Sequence, residues 1–454
     1  MAGLSAAGLG SGLDITSLVS QLVAAERAPQ QTTIDTQRSK ITTQVSALGA
    51  LKSTLSSLRD ALATLKSGTA FNARTAVSSD TTTFTASATS ASSAGRYAIE
   101  VVQLAQAGKS ASAGYSSSSA VVGTGTLSIS VGSATLDLEI DSGSNTLAGI
   151  RDAINGASNN PGVTASIVNG SGGAQLVLSA KQSGLANAFS VSASGGDGGL
   201  DTFVAGLTEA NPARDAIVRI DSVEVSAASN KISTAIDGVT LNLAKAQPGQ
   251  TLSLEVGVDR AAISGSLNGF VTAYNNYVTL RSQLTAYDAS TGKKGALLGD
   301  ATLRSIDASL SRTLQATGYG AGSNPLGTLS ELGVRVQVDG KLSLDATALG
   351  SALDSGTDRV AALFSGSNGV ATALSTQLHS WLDSGGTFDS RNESLDQRAR
   401  QLDDSQARLD ARMVSVQARY QAQFSKLDSL LSSLNNTSTF LTQQLAALNN
   451  TKSS

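Results

Sequence analysis

Side chains that could carry out acid–base or metal chemistry are scarce in this sequence. It contains one histidine, His379, one tryptophan, Trp381, and no cysteine. A catalytic base needs a partner and a pocket, so a packed or half-exposed helix residue is the better interpretation of His379. The adjacent carboxylates Asp403 and Asp404 fall on a charged helix face and are expected to be exposed. Because a catalytic or metal site has little to be built from, we expect no enzyme activity, no metal and no cofactor.

Two glycine-containing stretches resemble nucleotide-binding loops only in part. Gly8, Gly10 and Gly12 have the spacing of a dinucleotide loop, but no strand pattern precedes them and no βαβ pattern follows. In TGKK, residues 291–294, a lysine stands where a phosphate loop needs a hydroxyl residue, and Tyr287 stands at the position of its first glycine. We interpret this second stretch as a solvated loop.

The composition argues against several classes of partner. Charged residues make up 15% of the 454 residues, the formal net charge is −3, and neither sign forms a block. Nucleic acid and anionic membrane surfaces are therefore not expected partners. No apolar run reaches the roughly 18 residues of a membrane span, so membrane insertion is not expected. MAGLSAAGLG, at the start, lacks the features of a secretory signal peptide, so an exported protein would use another route.

The N-terminal part of the chain has a helical pattern. GLGSGLDITSLVSQLVAAERAP, residues 8–29, predicts an amphipathic helix that Asp14 caps and that ends at Pro29. From Ile41 to Leu65 apolar residues recur every three or four positions, and Gly68 ends this second helix. The expected packing residues are Ile15, Leu18, Val19 and Leu22 on the first helix, and Val45, Leu48, Leu55, Leu58 and Leu62 on the second.

The C-terminal part mirrors this pattern. A helix is predicted over residues 389–434, NNTST (435–439) is expected to end it, and a short helix follows. The two long helices have no other apolar surface of matching length, so we expect them to pack together as a stalk. The packing residues are Leu402, Leu409, Val416, Tyr420, Phe424 and Leu427 on the long helix, and Leu441, Leu445 and Leu448 on the short one.

The middle of the chain is predicted to be rich in β-strands. TLSISVGSATLDLEI (126–140) and VTASIVNGSGGAQLVLSA (163–180) alternate apolar and polar residues around glycine turns, and a short helix begins at Thr146 between them. A second β-rich block covers residues 216–258. Further on, Asp339-Gly340 predicts a tight hairpin turn. Asp345 is expected to cap a helix that runs through Leu363.

These patterns predict an α+β multidomain protein. A long, coiled-coil-like α-helical stalk is formed by the N- and C-terminal regions, and nested β-rich head domains are inserted between them. The terminal helices are expected to be disordered in the free monomer and packed in an assembly. The expected boundaries are 1–35 and 435–454 for the terminal helices, 36–75 and 260–434 for the stalk with a small β-hairpin, 76–108 and 214–259 for one head domain, and 109–213 for a second head domain inserted in the first.

Several segments resemble the flagellar hook-associated protein 2 family, the bacterial filament caps. GLGSGLDITSLVSQLVAAERAP and RYQAQFSKLDSLLSSLNNTSTFLTQQLAAL resemble its two terminal signatures. GRYAIEVVQLAQAGKSAS, GFVTAYNNYV, ALLGDATLRSI and LGVRVQVDGKLSLDATAL resemble its interior stretches. Residues 146–184 resemble a motif that flagellins and hook-associated proteins share.

The resemblance implies a non-enzymatic protein at the distal tip of the flagellar filament, outside the cell. Such a protein is exported through the flagellar type III apparatus without a cleaved signal peptide. It forms a homo-oligomeric ring, often taken as a pentamer, that promotes folding and insertion of exported flagellin and prevents its loss. The hook–filament junction protein and a cytosolic export chaperone that binds the C-terminal helix are further implied partners. The residues that would dock into the filament are Asp14, Ile15, Leu18, Val19, Leu22, Leu441, Leu445 and Leu448.

Two other classes of function stay open at this point. Flagellins and junction proteins share helical ends and the interior motif, but their terminal signatures differ from SGLDITSLV and LTQQLAAL. A surface adhesin whose β head binds glycans is the other alternative, and cell adhesion could coexist with capping. The number of copies in a ring cannot be predicted from the apolar stripes. The stripes show which helix faces pack, but not the rotation between neighbouring copies that closes a ring.

Overall fold

The helices and strands of the chain form two compact units. The computed structural model describes residues 14–320 and 325–451, with side chains to residue 446. We call Met1–Gly68 together with Ser264–Ser454 the helical unit, and Thr69–Ile263 the β unit. The architecture is α+β, as predicted. A long N-terminal helix packs on a long C-terminal helix, and several antiparallel sheets lie between them in the sequence.

The first helix, α1 (Ile15–Ser67), begins and ends at the predicted capping residues. The Asp14 carboxylate accepts a hydrogen bond from the Ser17 N–H at 2.9 Å, which satisfies one free donor of the first turn. Gly68 ends the helix at a φ of 77°, in the left-handed region that glycine adopts without strain.

Both long helices run past the breaks that the sequence predicts. The expected end at Pro29 is wrong, because α1 continues through that proline. A proline removes one backbone hydrogen bond, and packing of the buried residues on either side of it compensates. The last helix, α9 (Thr387–Thr451), likewise continues through residues 435–439. There the hydroxyls of Thr437 and Thr439 donate to the carbonyls four residues earlier at 2.8 Å, so these polar side chains are satisfied within the helix.

The rest of the helical unit is built from shorter elements around a buried leucine row of α1. Asp345 caps α6 as predicted, since its carboxylate accepts from two backbone N–H groups. The predicted continuation to Leu363 is wrong, because Gly356, at a φ of 136°, separates α6 from the next helix. The elements are α4 (Arg260–Thr285), α5 (Ala301–Gln315), β16 (Val334–Val336), β17 (Leu342–Leu344), α6 (Ala346–Asp354), α7 (Thr357–Ser365) and α8 (Val370–Leu382).

The β unit contains the remaining strands and two short helices. Its predicted hairpins are present, with Gly132 in the turn of the first at a φ of 58°. The Thr146 hydroxyl caps the predicted short helix by accepting from the Gly149 N–H at 3.1 Å. The elements are β1 (Arg74–Ser78), β2 (Phe84–Ala88), β3 (Gly95–Gln103), β4 (Lys109–Ala111), β5 (Gly125–Val131), β6 (Ala134–Ile140), α2 (Leu147–Gly156), β7 (Val163–Gly170), β8 (Gly173–Ala180), β9 (Phe189–Ser194), α3 (Gly199–Ala205), β10 (Thr208–Asn211), β11 (Ala216–Ile220), β12 (Val223–Ala227), β13 (Lys231–Ile236), β14 (Val239–Leu243) and β15 (Leu252–Val258).

Two apolar clusters lie in the β unit. One joins a five-stranded sheet of order β1-β15-β3-β11-β12 to a three-stranded sheet of order β13-β14-β2. The other joins the sheets β10-β4-β8-β7 and β6-β5-β9 to α2 and α3. The chain passes from the first group of strands to the second near Gln106 and returns to the first near Arg214. These two residues lie side by side and exchange two backbone hydrogen bonds of 2.8 and 3.0 Å.

Candidate functional site

The paired helices α1 and α9 contain nearly all the residues that the sequence singles out. They run antiparallel, and ion pairs fix their register. Lys52 Nζ lies 2.9 Å from an oxygen of Asp389, and Arg38 Nη2 lies 2.6 Å from one of Asp403. Further along, Arg27 pairs with Asp410. These partners lie hundreds of residues apart in the sequence.

Between the ion pairs the helix contact is narrow and largely polar. Gln31 and Gln406 exchange two side-chain hydrogen bonds of 2.9 Å. The Tyr420 hydroxyl donates to Glu26 at 3.2 Å, and Arg412 Nη2 lies 3.5 Å from the same carboxylate. The apolar part of this contact is small, and its buried members are Ile34, Leu409, Met413 and Val416.

Most of the residues predicted to pack in the stalk are buried, but the extent of burial falls along the pair. Leu48, Leu55, Leu58 and Leu62 are 0 to 1% exposed, because α7 and α8 also pack on this part of α1. Val45 is 38% exposed. On α9, burial decreases toward the C-terminus. Leu402, Leu409 and Val416 are buried, Tyr420 and Phe424 are half-buried, and Leu427 is 45% exposed.

The predicted docking residues of α1 are partly covered within the chain itself. Ile15 and Val19 are 4% and 1% exposed, Leu18 is half-buried, and Leu22 is exposed. In the free chain, the register of the ion pairs places this part of α1 beside the region of α9 near Phe424. The continuous α9 carries residues 441–448 past this contact.

The other predicted docking residues lie on the last turns of α9. Leu441 and Leu445 are 55% and 62% exposed, and Leu434 and Phe440 nearby are exposed to similar extents. The side chain of Leu448 lies outside the described residues. The described end of α9 thus presents to solvent apolar side chains that none of the described residues covers.

Three pKa shifts have clear physical causes. The hydrogen bond from Lys52 lowers the pKa of the Asp389 carboxyl. Bonds from Ser290 and Thr291 lower the pKa of Asp288 to about 2. Burial raises the pKa of the Tyr277 hydroxyl, which stays neutral in the core. Each group has a structural role, and none faces a cleft in which a substrate could react.

The chemically suggestive residues have ordinary surroundings. His379 is half exposed, with Nδ1 2.9 Å from an Asp383 oxygen. Asp403 pairs with Arg38 and Asp404 is exposed. The 291–294 stretch follows α4 and closes on itself through Asp288, so it lacks the strand and helix of a phosphate loop. Gly8, Gly10 and Gly12 lie outside the described residues. Within residues 14–320 and 325–451, no His/Cys/Asp/Glu cluster could hold a metal ion and no helix could cross a membrane.

Sequence reasoning missed the polar residues that join the two helices. Arg27, Gln31 and Arg38 of α1 and their partners on α9 carry no motif of their own. A signal was available, because charges that flank an apolar stripe at heptad spacing commonly pair across a coiled coil. To predict these pairs, one must know how the two distant helices are aligned, and the apolar stripes alone do not determine that alignment.

Comparison with known proteins places these features in a family. Residues 213–436 match the profile described as "Flagellar hook-associated protein 2 C-terminus", and residues 11–108 match the corresponding N-terminus. Residues 126–182 match the "Flagellin hook IN motif". The chain is 34% identical to flagellar hook-associated protein 2 of Escherichia coli K12 over 483 residues, covering 100% of both chains. It is 31% identical to the A-type flagellar hook-associated protein 2 of Pseudomonas aeruginosa, covering 97% of each.

A solved structure agrees with this relationship. The crystal structure of the D1-D2-D3 domains of the flagellar cap protein FliD from Escherichia coli matches with a TM-score of 0.62 and 32% identity. The match covers 77% of this chain and 99% of that one.

Proposed function

Because the chain belongs to the flagellar hook-associated protein 2 family, it is a flagellar cap protein, and we propose that α9 anchors it to the filament. The protein is structural and not an enzyme. We propose that copies of it form a ring at the distal end of the filament, where exported flagellin folds and inserts beneath them. On this proposal the ring also keeps flagellin from being lost to the medium.

The exposed apolar residues at the end of α9 are the observation that carries the anchoring role. Leu434, Leu441 and Leu445 are spaced seven and four residues apart, so they share one face of the helix. Each is more than half exposed in the free chain. Burying such a side chain contributes about 1.5 to 3 kcal/mol. A ring of copies would repeat this contribution and remain attached through several weak contacts at once.

The same face supports two further proposed contacts. Before assembly, exposed leucines on an unpaired helix favour aggregation, and an export chaperone that binds this helix would cover them. Export through the flagellar type III apparatus would then release the chaperone and free the face for the filament. The first such surface that an exported copy meets would belong to the hook–filament junction protein, and later ones to flagellin.

A truncation tests the anchoring proposal. A chain that ends at Leu434 loses Leu441 and Leu445 of this face but none of the buried residues described above. We expect it to remain folded, with an unchanged melting transition of the β unit by circular dichroism. Labelled protein should be lost from filament tips in fluorescence images, and cells should release flagellin into the medium and swim poorly.

Point variants distinguish the effect of losing the apolar face from the effect of shortening the helix. We expect Leu441→Ser with Leu445→Ser to reproduce the defect. Gln443→Ser with Gln444→Ser changes two exposed residues in the same turns and should leave filaments normal. Normal filaments from the leucine variant, or from the truncation, would contradict the anchoring role.

A further inference from the structure

A groove beside the α1–α9 pair contains cations that form no ion pair with the described residues of the chain. A cavity of about 500 Å³ lies between the two helices, and a second of about 390 Å³ adjoins it, sharing Lys40 and Gln44. Lys40, Arg398 and Lys294 line this surface, which we call the cationic groove. The apolar side chains that also line the groove are Ile41, Leu402 and Leu298.

The charge of this groove is uncompensated. No acidic residue is among the described residues that line it. Lys40, Lys294 and Arg398 form no ion pair with any residue that the structure describes. Other cations on these two helices do have acidic partners outside the groove. Arg38, for example, pairs with Asp403. The groove therefore attracts an acidic surface that the described residues of its own chain do not supply.

The matching acidic surface lies on the far side of α9. Successive residues of an α-helix are about 100° apart, so Glu393 and Asp396 lie roughly opposite the side that carries Arg398, and Asp404 lies about 120° from it. We call these three residues the acidic stripe. All three are exposed, and none forms an ion pair with a residue in the described parts of the chain. Arg400 lies among them, which leaves this side with a net negative charge.

The groove and the stripe also lie at the same level along the helix. Arg398 and Leu402 of the groove lie between Asp396 and Asp404 of the stripe in the sequence. Two complementary surfaces on different sides of α9, at one level, allow copies to associate side by side. Such a contact uses different patches on the two copies, and it closes into a ring when the rotation between copies divides a full turn.

We propose that the acidic stripe of one copy docks in the cationic groove of the next. This inference rests on the proposed ring and assigns a contact surface to it. The second copy is the occupant because the same chain supplies both charges at matching height. A charge-based contact of this kind fixes the orientation of neighbours more than it adds affinity.

Charge reversal tests the contact in the purified full-length chain. The groove variant is Lys40→Glu with Arg398→Glu, and the stripe variant is Glu393→Lys with Asp396→Lys. Self-association is measured by sedimentation velocity at low and at high ionic strength, because salt screens exposed charges. We expect the unaltered chain to associate more strongly at low salt, and each variant to associate about tenfold more weakly. A chain carrying all four substitutions restores the opposite charges and should recover most of the association.

Controls exclude an effect of net charge or folding. Arg312→Glu with Arg335→Glu makes the same charge change at exposed positions outside the groove and should associate like the unaltered chain. All variants should keep the parent melting temperature, since every altered side chain is exposed.

Three results would overturn the proposal. They are a groove variant that associates normally, a four-fold variant that does not recover, and an unaltered chain that stays monomeric at low salt. A groove variant that associates normally yet fails to cap filaments would show that the groove contacts a different protein. The assay contains no filament, so a failure of the anchoring proposal in cells leaves this result unaffected.

Discussion

One amide side chain, Asn275, attaches the small hairpin β16–β17 to α4. Its Nδ2 donates to the Leu342 carbonyl at 2.9 Å, and its Oδ1 accepts from the Leu342 N–H at 2.7 Å. A single residue thus satisfies both polar groups of a strand position that faces a helix. This pairing is specific to an amide, which carries a donor and an acceptor in one plane.

We expect Asn275→Ala to lower the free energy of unfolding of the helical unit by about 1 to 3 kcal/mol. The substitution leaves the Leu342 N–H and carbonyl without partners in a partly buried position. Urea denaturation followed by circular dichroism measures the change. Asn276→Ala, at the next and exposed position, should cost less than half as much. Equal effects at both positions would contradict the assigned role.

For single residues, the sequence predicts contacts with nearby residues well and contacts with distant residues poorly. Asp14, Gly68 and Thr146 act on backbone groups within a few residues, so their capping roles can be read from the sequence. Asn275 and Leu342 are 67 residues apart. No pattern near either residue indicates the other.

Among the elements, α1 is notable for the proline within it. Pro29 lacks the N–H that would bond to the carbonyl four residues earlier, and an interior proline costs a helix about 3 kcal/mol. The helix continues because α9 packs on both sides of this point, through Glu26 and Ile34. The segment before Pro29 is therefore held by α9 more than by its own backbone.

We expect Pro29→Ala to slow amide hydrogen exchange in residues 15–28. Alanine restores the missing hydrogen bond and removes the steric conflict of the ring, so local opening should cost up to about 3 kcal/mol more. Gln30→Ala, at the neighbouring exposed position, controls for the gain of an alanine. If exchange in this segment is unchanged by Pro29→Ala, the proline is not what weakens it.

Element types follow from periodicity, whereas several element ends do not. The apolar stripes identify both long helices, and the alternating patterns identify the hairpins. Pro29 and NNTST are local signals of helix ends that tertiary packing and hydroxyl–carbonyl bonds override. At Gly356 the error is the opposite one. The apolar pattern continues past this residue, but the helix ends there.

For the whole molecule, we infer that Thr69–Ile263 is an independent folding unit. Its first strand, β1, pairs along its length with its last strand, β15, so the two ends of the segment lie side by side. Both of its apolar clusters consist of residues from this segment alone. We further infer that residues 109–213 form a domain inserted at the Gln106–Arg214 crossing.

We expect residues 69–263, expressed alone, to melt cooperatively with a β-type circular dichroism spectrum. A fragment that begins at residue 79 lacks β1, exposes the buried Val256 of β15 and should melt at a lower temperature. A disordered spectrum from the longer fragment would contradict the inference.

The pairing of α1 with α9 also favours one order of folding. Arg27 finds its partner 383 residues later and Lys52 finds its partner 337 residues later. A chain that emerges from its N-terminus therefore presents α1 long before α9 exists to cover it. Closing so long a loop carries a large entropic cost, and contacts between distant residues form slowly. The β unit reduces that cost when it folds first, because β1 and β15 bring residues 74 and 258 together and shorten the loop that remains. The two helices can then pair last, across the shorter loop that remains.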